Sequence, residues 1–485
     1  MSSERTEESS DDDPEGKGGD DGIRKKNQVE YSKEEDKRKD LIIIHKEEDK
    51  MKKIVFLVFV ATLSLSFLVS PAIAGNEDII IKKLVEKGVL SDSEANGLLK
   101  EIGKEEQMKS EAVKGEIKIP KWVDKINFKG DLRLRYQGED RDNADGTSGV
   151  TRNRGRFRLR AGVEADVTPQ WKAGFGIASG SDDPRSTNQT LGDAFASPDL
   201  RIDYAYAQYK PLDWLTGVGG KFKNPFWQPK DLTWDGDIRP EGLALKFKFD
   251  ASDSLELFFT PAFFLIKELS GSSSDPIMWA LQAGVNWKFT DNMYFKFAPA
   301  YYATNDFEGN SFPYRGRTGN NLGNTTNDGS STGLYVSDYK VFAVDAEIGI
   351  GIPGPVPFIA VFGQYIQSDF EDADRPIAFR QGDDLNKGWL AGFKFGHKKI
   401  KERWQWQVKY NYRLLEKDAW PDFLPDSDFY GGSTNVKGSE IEFELGLHKN
   451  LTFGIDYYIS EIDKTLAGEG NREENLLQVD LVLKW

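Results

Sequence analysis

Hydrophobic and polar residues alternate with a period of two along most of the chain after residue 120. The stretch 156–167 reads RFRLRAGVEADV: apolar side chains occupy every second position, and charged residues fill all positions between them except Gly162. The stretch 125–137 alternates in the same way. A period of two is typical of β-strands that place one face in an apolar environment and the other in a polar one.

Sixteen such segments follow one another up to the carboxyl terminus, most of them about ten residues long. This is the length that a tilted strand needs to cross an outer membrane. Short turns alternate with longer polar loops, the longest near residues 304–338. This alternation is typical of bacterial membrane barrels, and an even number of strands places both chain ends on the short-turn side.

Five tryptophans occupy apolar positions close to predicted short turns or to the carboxyl terminus: Trp171, Trp214, Trp287, Trp404 and Trp485. Aromatic residues form girdles at membrane interfaces. We therefore predict an all-β membrane protein, a single 16-stranded antiparallel transmembrane β-barrel over residues 121–485, with a short N-terminal helical segment. Such a barrel is wide enough to leave an aqueous channel for the charged faces of its strands. A soluble β-sandwich or solenoid is the alternative, but it does not explain the girdle and the turn lengths together.

The amino-terminal part has a different pattern. Residues 1–50 are almost all charged or small, which predicts disorder. Residues 51–74 combine two lysines, an apolar run and a small-residue ending, as in a secretory signal peptide, with a transmembrane anchor as the alternative. Because the signal peptide begins at residue 51, the first fifty residues are either a stretch wrongly included in the reading frame or a genuine disordered extension. Residues 75–120 are predicted to form a short periplasmic helical segment and linker, in which Ser91 and Glu94 fit a capping box.

Composition narrows the classes of function. The chain has 485 residues, a formal net charge of −15, no cysteine and three histidines. The lack of cysteine excludes disulfides, thiolate metal sites and thiol nucleophiles, and the acidic balance argues against nucleic acid as a partner. His45 precedes the signal peptide, and His397 and His448 lie at predicted periplasmic turns without a serine partner. We predict that the protein is not an enzyme and has no catalytic residue, cofactor or metal.

One segment carries a resemblance to a known family. Residues 219–245 read GGKFKNPFWQPKDLTWDGDIRPEGLAL, which resembles a segment typical of the "putative porin" family of Gram-negative outer-membrane β-barrels. The resemblance implies an outer-membrane diffusion channel for small hydrophilic solutes, surrounded by lipid and lipopolysaccharide and trimeric by analogy with general porins. The aromatic carboxyl end, Trp485, is similar to the signal that the barrel-assembly machinery recognises.

The candidate pore-lining residues come from two places. The predicted lumen-facing positions of the first two strands carry five arginines: Arg133, Arg135, Arg156, Arg158 and Arg160. Like charges on neighbouring strands need water, counter-ions or opposing acids. The segment 219–245 follows the fifth predicted strand and is therefore the third long loop, which in general porins folds into the lumen. Its acids are Asp231, Asp235, Asp237 and Glu241. We predict a constriction with a transverse field between these arginines and these acids.

A second predicted lumen-facing patch combines acids and bases on the thirteenth and fourteenth strands: Lys409, Arg413, Glu440, Glu442 and Glu444. We expect its charges to neutralise one another, with a separate cation site as the weaker alternative.

Three functions fit the sequence. The one we predict is a general porin, a passive diffusion channel. The alternatives are a substrate-specific channel for anions or sugar acids and a structural barrel that anchors the envelope. Saturable conductance would indicate the specific channel, and a non-conducting barrel with a periplasmic partner would indicate the structural role.

Overall fold

The structure is a computed structural model that describes residues 91, 93–94, 97 and 100, and then residues 125–485 apart from 144–147, 272–273, 314–322, 331 and 465–471. The predictions for the disordered extension, the signal peptide and most of the helical segment lie outside these residues. Ser91 and Glu94 do form the predicted capping box: the Ser91 N–H donates to Glu94 Oε2 (2.9 Å), and the Glu94 N–H donates to Ser91 Oγ (3.4 Å). No helix among the described residues is long and apolar enough to cross a membrane.

The described residues form 17 antiparallel strands in one sheet. Their bounds are β1 Ile126–Asp142, β2 Ser148–Asp166, β3 Trp171–Ala178, β4 Gln189–Thr190, β5 Arg201–Leu212, β6 Leu215–Lys221, β7 Glu241–Ser252, β8 Leu255–Leu265, β9 Ile277–Thr290, β10 Met293–Asn305, β11 Lys340–Gly351, β12 Phe358–Ser368, β13 Lys387–Gly396, β14 Trp406–Leu415, β15 Val436–His448, β16 Leu451–Ile462 and β17 Glu473–Lys484. Three short 3₁₀ helices lie between strands, at Asp372–Asp374, Ile377–Phe379 and Tyr430–Gly432.

The sheet closes on itself. Leu132 of β1 pairs with Leu159 of β2 on one side and with Leu483 of β17 on the other. The two-residue strand β4 pairs with β2 inside a loop, while β3 continues to β5, so the other sixteen strands form the wall. Closure pairs the backbone groups of every strand, which hydrocarbon surroundings require. The predicted 16-stranded barrel is confirmed.

Short and long connections alternate as the sequence predicts. We number the long loops L1 (143–147), L2 (179–200), L3 (222–240), L4 (266–276), L5 (306–339), L6 (369–386), L7 (416–435) and L8 (463–472).

Two connections differ from the expectation. L1 is brief because β1 and β2 continue for 17 and 19 residues. The turn between β13 and β14 extends to residue 405, and Trp404 within it has a left-handed φ of 68°.

The outer face of the barrel is apolar. The five predicted girdle tryptophans are all exposed, between 41% and 55% of their surface. Leu243, Leu245 and Phe249 of β7 are exposed in the same way, and Ala244 between them is buried. Alternate residues of each strand therefore face lipid and lumen, as a transmembrane strand requires.

The lumen, in contrast, is not uniformly polar. Many lumen-facing side chains of β8 to β13 are apolar and nearly inaccessible, for example Phe264, Met278 and Ile366. They pack against apolar side chains of L3, L5, L6 and L7 in one cluster, which we call the loop core. Its loop members include Phe222, Phe226, Leu232, Trp234, Phe307, Tyr335, Phe370, Trp420, Leu424 and Phe429. The loop core fills one side of the lumen, and the arginine-rich surface of β1 and β2 lies outside it.

Candidate constriction site in the lumen

L3 crosses the interior of the barrel and is held by lumen-facing glutamines. The Trp227 N–H donates to Gln282 Oε1 of β9 (2.8 Å), and the Leu232 N–H donates to Gln364 Oε1 of β12 (3.3 Å). Gln282 also donates its amide to the Trp227 carbonyl oxygen (2.8 Å). Two strands of the wall thus bind the backbone of L3, which keeps the loop inside the barrel.

L7 enters the lumen from the opposite side and meets L3. The Asp235 N–H of L3 donates to the carbonyl oxygen of Leu424 (2.8 Å), and the Ser427 N–H of L7 donates to Asp235 Oδ2 (2.8 Å). Trp234 and Trp420 pack edge to face with ring centroids 6.0 Å apart. The two loops therefore form one layer across the lumen, and the sequence gives no sign of the part played by L7.

Four of the five predicted arginines lie directly opposite one another. Arg133 pairs with Arg158 and Arg135 pairs with Arg156 in the register of β1 and β2. We call these four side chains and Arg160 the arginine wall. Opposed like charges destabilise a strand pair unless other groups neutralise them.

Carboxylates on the barrel wall supply that neutralisation. Asp131 of β1 contacts Arg158 (2.7 Å) and Arg160 (2.8 Å). Asp480 of β17 accepts two hydrogen bonds from Arg135, both of 2.7 Å. Such bidentate contacts are the strong form of an arginine–carboxylate pair.

The two lumen loops complete the arginine wall. Asp237 of L3 accepts a hydrogen bond from Arg160 (3.0 Å), and Asp428 of L7 accepts one from Arg135 (3.2 Å). Loop carboxylates and wall arginines are therefore in contact rather than separated by an open gap. The side chain of Asn188 in L2 adds an acceptor for Arg133 (2.5 Å).

The predicted acids do not all lie together. Asp237 contacts the arginine wall, and Asp235 accepts backbone N–H groups of its own loop and of L7. Asp231 lies 2.9 Å from Arg413 of β14. The structure places Glu241 elsewhere: it begins β7 on the same face as Leu243 and pairs with Lys221 at the outer rim (2.7 Å), because the alternation of β7 directs it away from the lumen.

The second predicted patch lies against Asp231. Lys230 of L3 contacts Glu440 and Glu442, each at 2.8 Å, and Arg413 contacts Glu440 (2.5 Å). Lys409 contacts Glu442 (2.8 Å). The carboxylate oxygens of Asp231, Asp426 and Glu440 lie within 4.8 Å of one another, the one grouping of this kind among the described residues. The ammonium and guanidinium groups already take the place that a cation would have there.

Burial and neighbouring charge determine the protonation of the loop acids. Burial alone would raise the pKa of Asp237, but the guanidinium groups of the arginine wall lower it well below its usual range. Burial, and then the charge of Asp237, raises the pKa of Asp235 well above the usual value. Burial also raises the pKa of Asp426, and the neighbouring charge of Asp231 raises it further. The layer therefore holds carboxyl groups whose pKa values are shifted in opposite directions.

A small cavity of about 190 Å³ remains between the arginine wall and the two loops. Its lining includes five bases and eight acids: Arg133, Arg135, Arg158, Arg185, Lys230, Asp231, Asp235, Asp237, Asp426, Asp428, Glu440, Glu442 and Asp456. A passage with this lining offers charged groups of both signs to a polar solute and has little apolar surface for an apolar one.

The sequence analysis missed several of these groups for different reasons. Asp131 and Asp480 sit on the same strand faces as lumen-directed residues, so the alternation could have identified them. Asp426 and Asp428 lie about two hundred residues after L3, and Arg185 lies in L2. Their approach to the site depends on how whole loops fold, which strand periodicity does not encode.

Comparison with known proteins gives a family and a set of similar folds. The family model described as "putative porin" matches residues 147–332 and 318–484. No curated protein matches the sequence.

Solved structures similar to the chain include OprB of Pseudomonas putida at high pH, with 11% identity, a TM-score of 0.47 and coverage of 75% of this chain and 95% of that one. The outer membrane channel DcaP of Acinetobacter baumannii has 13% identity, a TM-score of 0.41 and coverage of 74% and 97%. A loop L8 deletion mutant of OmpT of Vibrio cholerae has 12% identity, a TM-score of 0.42 and coverage of 74% and 99%.

Proposed function

Because the chain belongs to the "putative porin" family and forms a closed 16-stranded barrel in the outer membrane of a Gram-negative bacterium, we propose that solutes cross it by passive diffusion through the charged layer of the lumen. The solutes are small and hydrophilic. The constriction is built by L3, L7 and the arginine wall. Arg133, Arg135, Arg156, Arg158 and Arg160 line it together with Asp231, Asp235 and Asp237.

One observation carries the proposal. L3 is bound to the wall at β9 and β12, and through Asp237 it contacts Arg160 on β2. The loop therefore spans the lumen next to a cavity lined mostly by charged groups. A solute in this passage must replace its water with these groups, which favours polar solutes over apolar ones.

The test is reconstitution into planar bilayers. Replacement of Arg156, Arg158 and Arg160 by Ser should raise the conductance in KCl and shift the reversal potential toward cation preference, because three positive charges leave the passage. Arg403→Ser is the matched control, since Arg403 lies over Trp404 in a periplasmic turn. An unchanged reversal potential in the triple variant would contradict the proposed constriction. A wild-type barrel that does not conduct would favour the envelope-anchoring role.

A substrate-specific channel for anions or sugar acids is the second candidate. The observation that favours it is a pair of lysines, Lys223 and Lys246, which border a cavity on the periplasmic side of L3. Saturation of solute flux with rising concentration would support it, and linear flux would support general diffusion.

We further propose that the barrel forms a homo-oligomer, a trimer as in general porins. Exposed apolar residues in and next to L2 support this proposal. They are Leu191, Phe195, Leu200 and Ile202. Exposed apolar groups at one edge of a protein indicate an interaction surface. We also propose that lipopolysaccharide surrounds the outer rim and that the barrel-assembly machinery recognises Trp485. Trp485 itself joins the wall through hydrogen bonds with Gly130 (3.1 Å each way).

A further inference from the structure

A second and larger cavity lies on the periplasmic side of L3. It has a volume of about 570 Å³ and is bordered by L3 and by lumen-facing residues of β1, β2, β5 and β7. We call it the vestibule cavity. This volume is in the range of sites that bind small organic molecules.

The acids of the vestibule cavity already have basic partners. Asp131 contacts Arg158 and Arg160, and Glu164 contacts Lys129. Asp203 lies 3.5 Å from Arg239. The negative charges of this cavity are therefore neutralised within the protein.

Two lysines that border the same cavity have no such oppositely charged partner among the described residues. Lys223 belongs to L3 and Lys246 to the lumen-facing side of β7, and both border the vestibule cavity. In the described part of the chain, neither ammonium lies within 4.0 Å of a carboxylate. Two ammonium groups without a counter-ion at one cavity form a favourable place for an anion.

The rest of the cavity provides an apolar surface. Val218 borders it, together with the buried ring of Phe222. The ring of Tyr204 lies beside that of Tyr206, with centroids 5.8 Å apart. The Tyr204 hydroxyl is buried and has no hydrogen-bond partner in the residues that the structure describes. A ligand with both an anionic head and an apolar body would use the lysines and this surface together.

We infer that the vestibule cavity is a binding site for organic monocarboxylates, whose carboxylate lies between Lys223 and Lys246 and whose apolar body lies against Val218, Phe222 and the Tyr204 ring. The inference rests on the proposed channel function, because the ligand is a solute on its way through the lumen. It makes the channel selective for one chemical class, at a place separate from the arginine wall.

The experiment measures block of the KCl current through single barrels by benzoate added from the periplasmic side. Benzoate carries a carboxylate on an apolar ring, benzamide is its neutral counterpart, and inorganic phosphate is an anion without an apolar body. We expect benzoate to block at concentrations where benzamide and phosphate do not. Lys223→Gln or Lys246→Gln should raise the half-blocking concentration about tenfold, the usual effect of losing a charged hydrogen-bond partner.

The matched control is Lys248→Gln. Lys248 lies two residues after Lys246 on the same face of β7 and is paired with Glu256 (2.8 Å), so its replacement removes the same charge from the same strand. Benzoate should block the current through the K248Q barrel at the same concentration as in the wild type. Equal block by phosphate and benzoate would overturn the role of the apolar surface, and equal effects of K246Q and K248Q would overturn the site. A barrel that conducts KCl but shows no block by benzoate refutes this inference alone, whereas the absence of conductance refutes the channel.

Discussion

At the scale of single residues, the constriction contains carboxyl groups whose pKa values are shifted in opposite directions. Asp237 contacts Arg160 (3.0 Å) and the Thr187 hydroxyl (2.8 Å), which keeps it ionised. Asp235, two residues earlier, is buried without a basic partner among its described contacts and accepts the N–H groups of Asp237 and Ser427. One loop therefore holds two adjacent acids whose pKa values move in opposite directions.

This difference predicts opposite pH dependences for two variants. The raised pKa of Asp235 means that the folded state keeps a proton which the unfolded state loses above about pH 4, so its contribution to stability falls as pH rises. The lowered pKa of Asp237 means the reverse: its contribution is present at neutral pH and is lost as pH falls. Melting temperatures in detergent should therefore show any disadvantage of Asp235→Asn shrinking from pH 4 to pH 8, whereas that of Asp237→Asn should stay nearly constant over this range and shrink only below about pH 4.

The Asp237→Asn variant should lose about 1–3 kcal/mol at neutral pH, because Arg160 loses one charged partner and keeps only Asp131 as an ion-pair partner among the described residues. Parallel pH profiles of the two variants would contradict the assigned protonation.

At the scale of elements, the alternation of polar and apolar residues identified the strands more reliably than it identified whether each strand face meets lipid, water or packed protein. The segment 357–368 alternates weakly in sequence, yet β12 has a regular inward and outward pattern in the structure. Phe358 and Phe362 point inward and Val361 points outward, so both faces are apolar. The inward face of β12 is apolar because it meets the loop core instead of water. Polar–apolar alternation disappears when both sides of a strand are dry.

The anchoring of L3 by two strands gives a prediction at this scale. Gln282→Ala and Gln364→Ala each remove the acceptor of an L3 backbone N–H, which should cost about 1–3 kcal/mol of local stability. We expect larger and noisier single-channel currents from the double variant, because L3 can then leave its position in the lumen. Gln367→Ala is the control: this residue of β12 lies on the outward, exposed face of the strand and accepts a hydrogen bond from the Tyr365 hydroxyl. Currents identical to those of the wild type would show that L3 is held by other contacts.

At the scale of the whole molecule, the closed wall could be predicted from sequence and the interior could not. The wall repeats one local rule sixteen times, and each strand pairs with its neighbour along the chain. The interior depends on loops that meet from distant parts of the chain, such as Trp234 of L3 with Trp420 of L7. The arginine wall was accessible to prediction because it lies on adjacent strands. The carboxylates of L7 were not, because no periodic pattern links them to β1.

The assembly of several barrels is also a property of the whole molecule. Phe195 lies at the tip of L2, is fully exposed and has a left-handed φ of 66°, which is unusual for a large side chain. If L2 contacts a neighbouring barrel, Phe195→Ser should weaken the trimer and leave the monomeric barrel folded. Analytical ultracentrifugation in detergent, with heat-modifiability on gels as the folding control, tests this. A trimer that is as stable in F195S as in the wild type would exclude this contact.

The loop core has a consequence for how the exposed surface of this protein can vary. In a barrel whose outer loops are independent, each loop can change under pressure from antibodies or phages without an effect on nutrient uptake. Here Asp418 of L7 contacts Arg375 of L6 (2.8 Å) and Thr325 of L5 (2.7 Å), and Trp420 in the same loop packs on Trp234 of L3. A substitution that disturbs these outer loops is transmitted to the passage itself. Sequence variation in the outer loops and permeability are therefore coupled in this molecule.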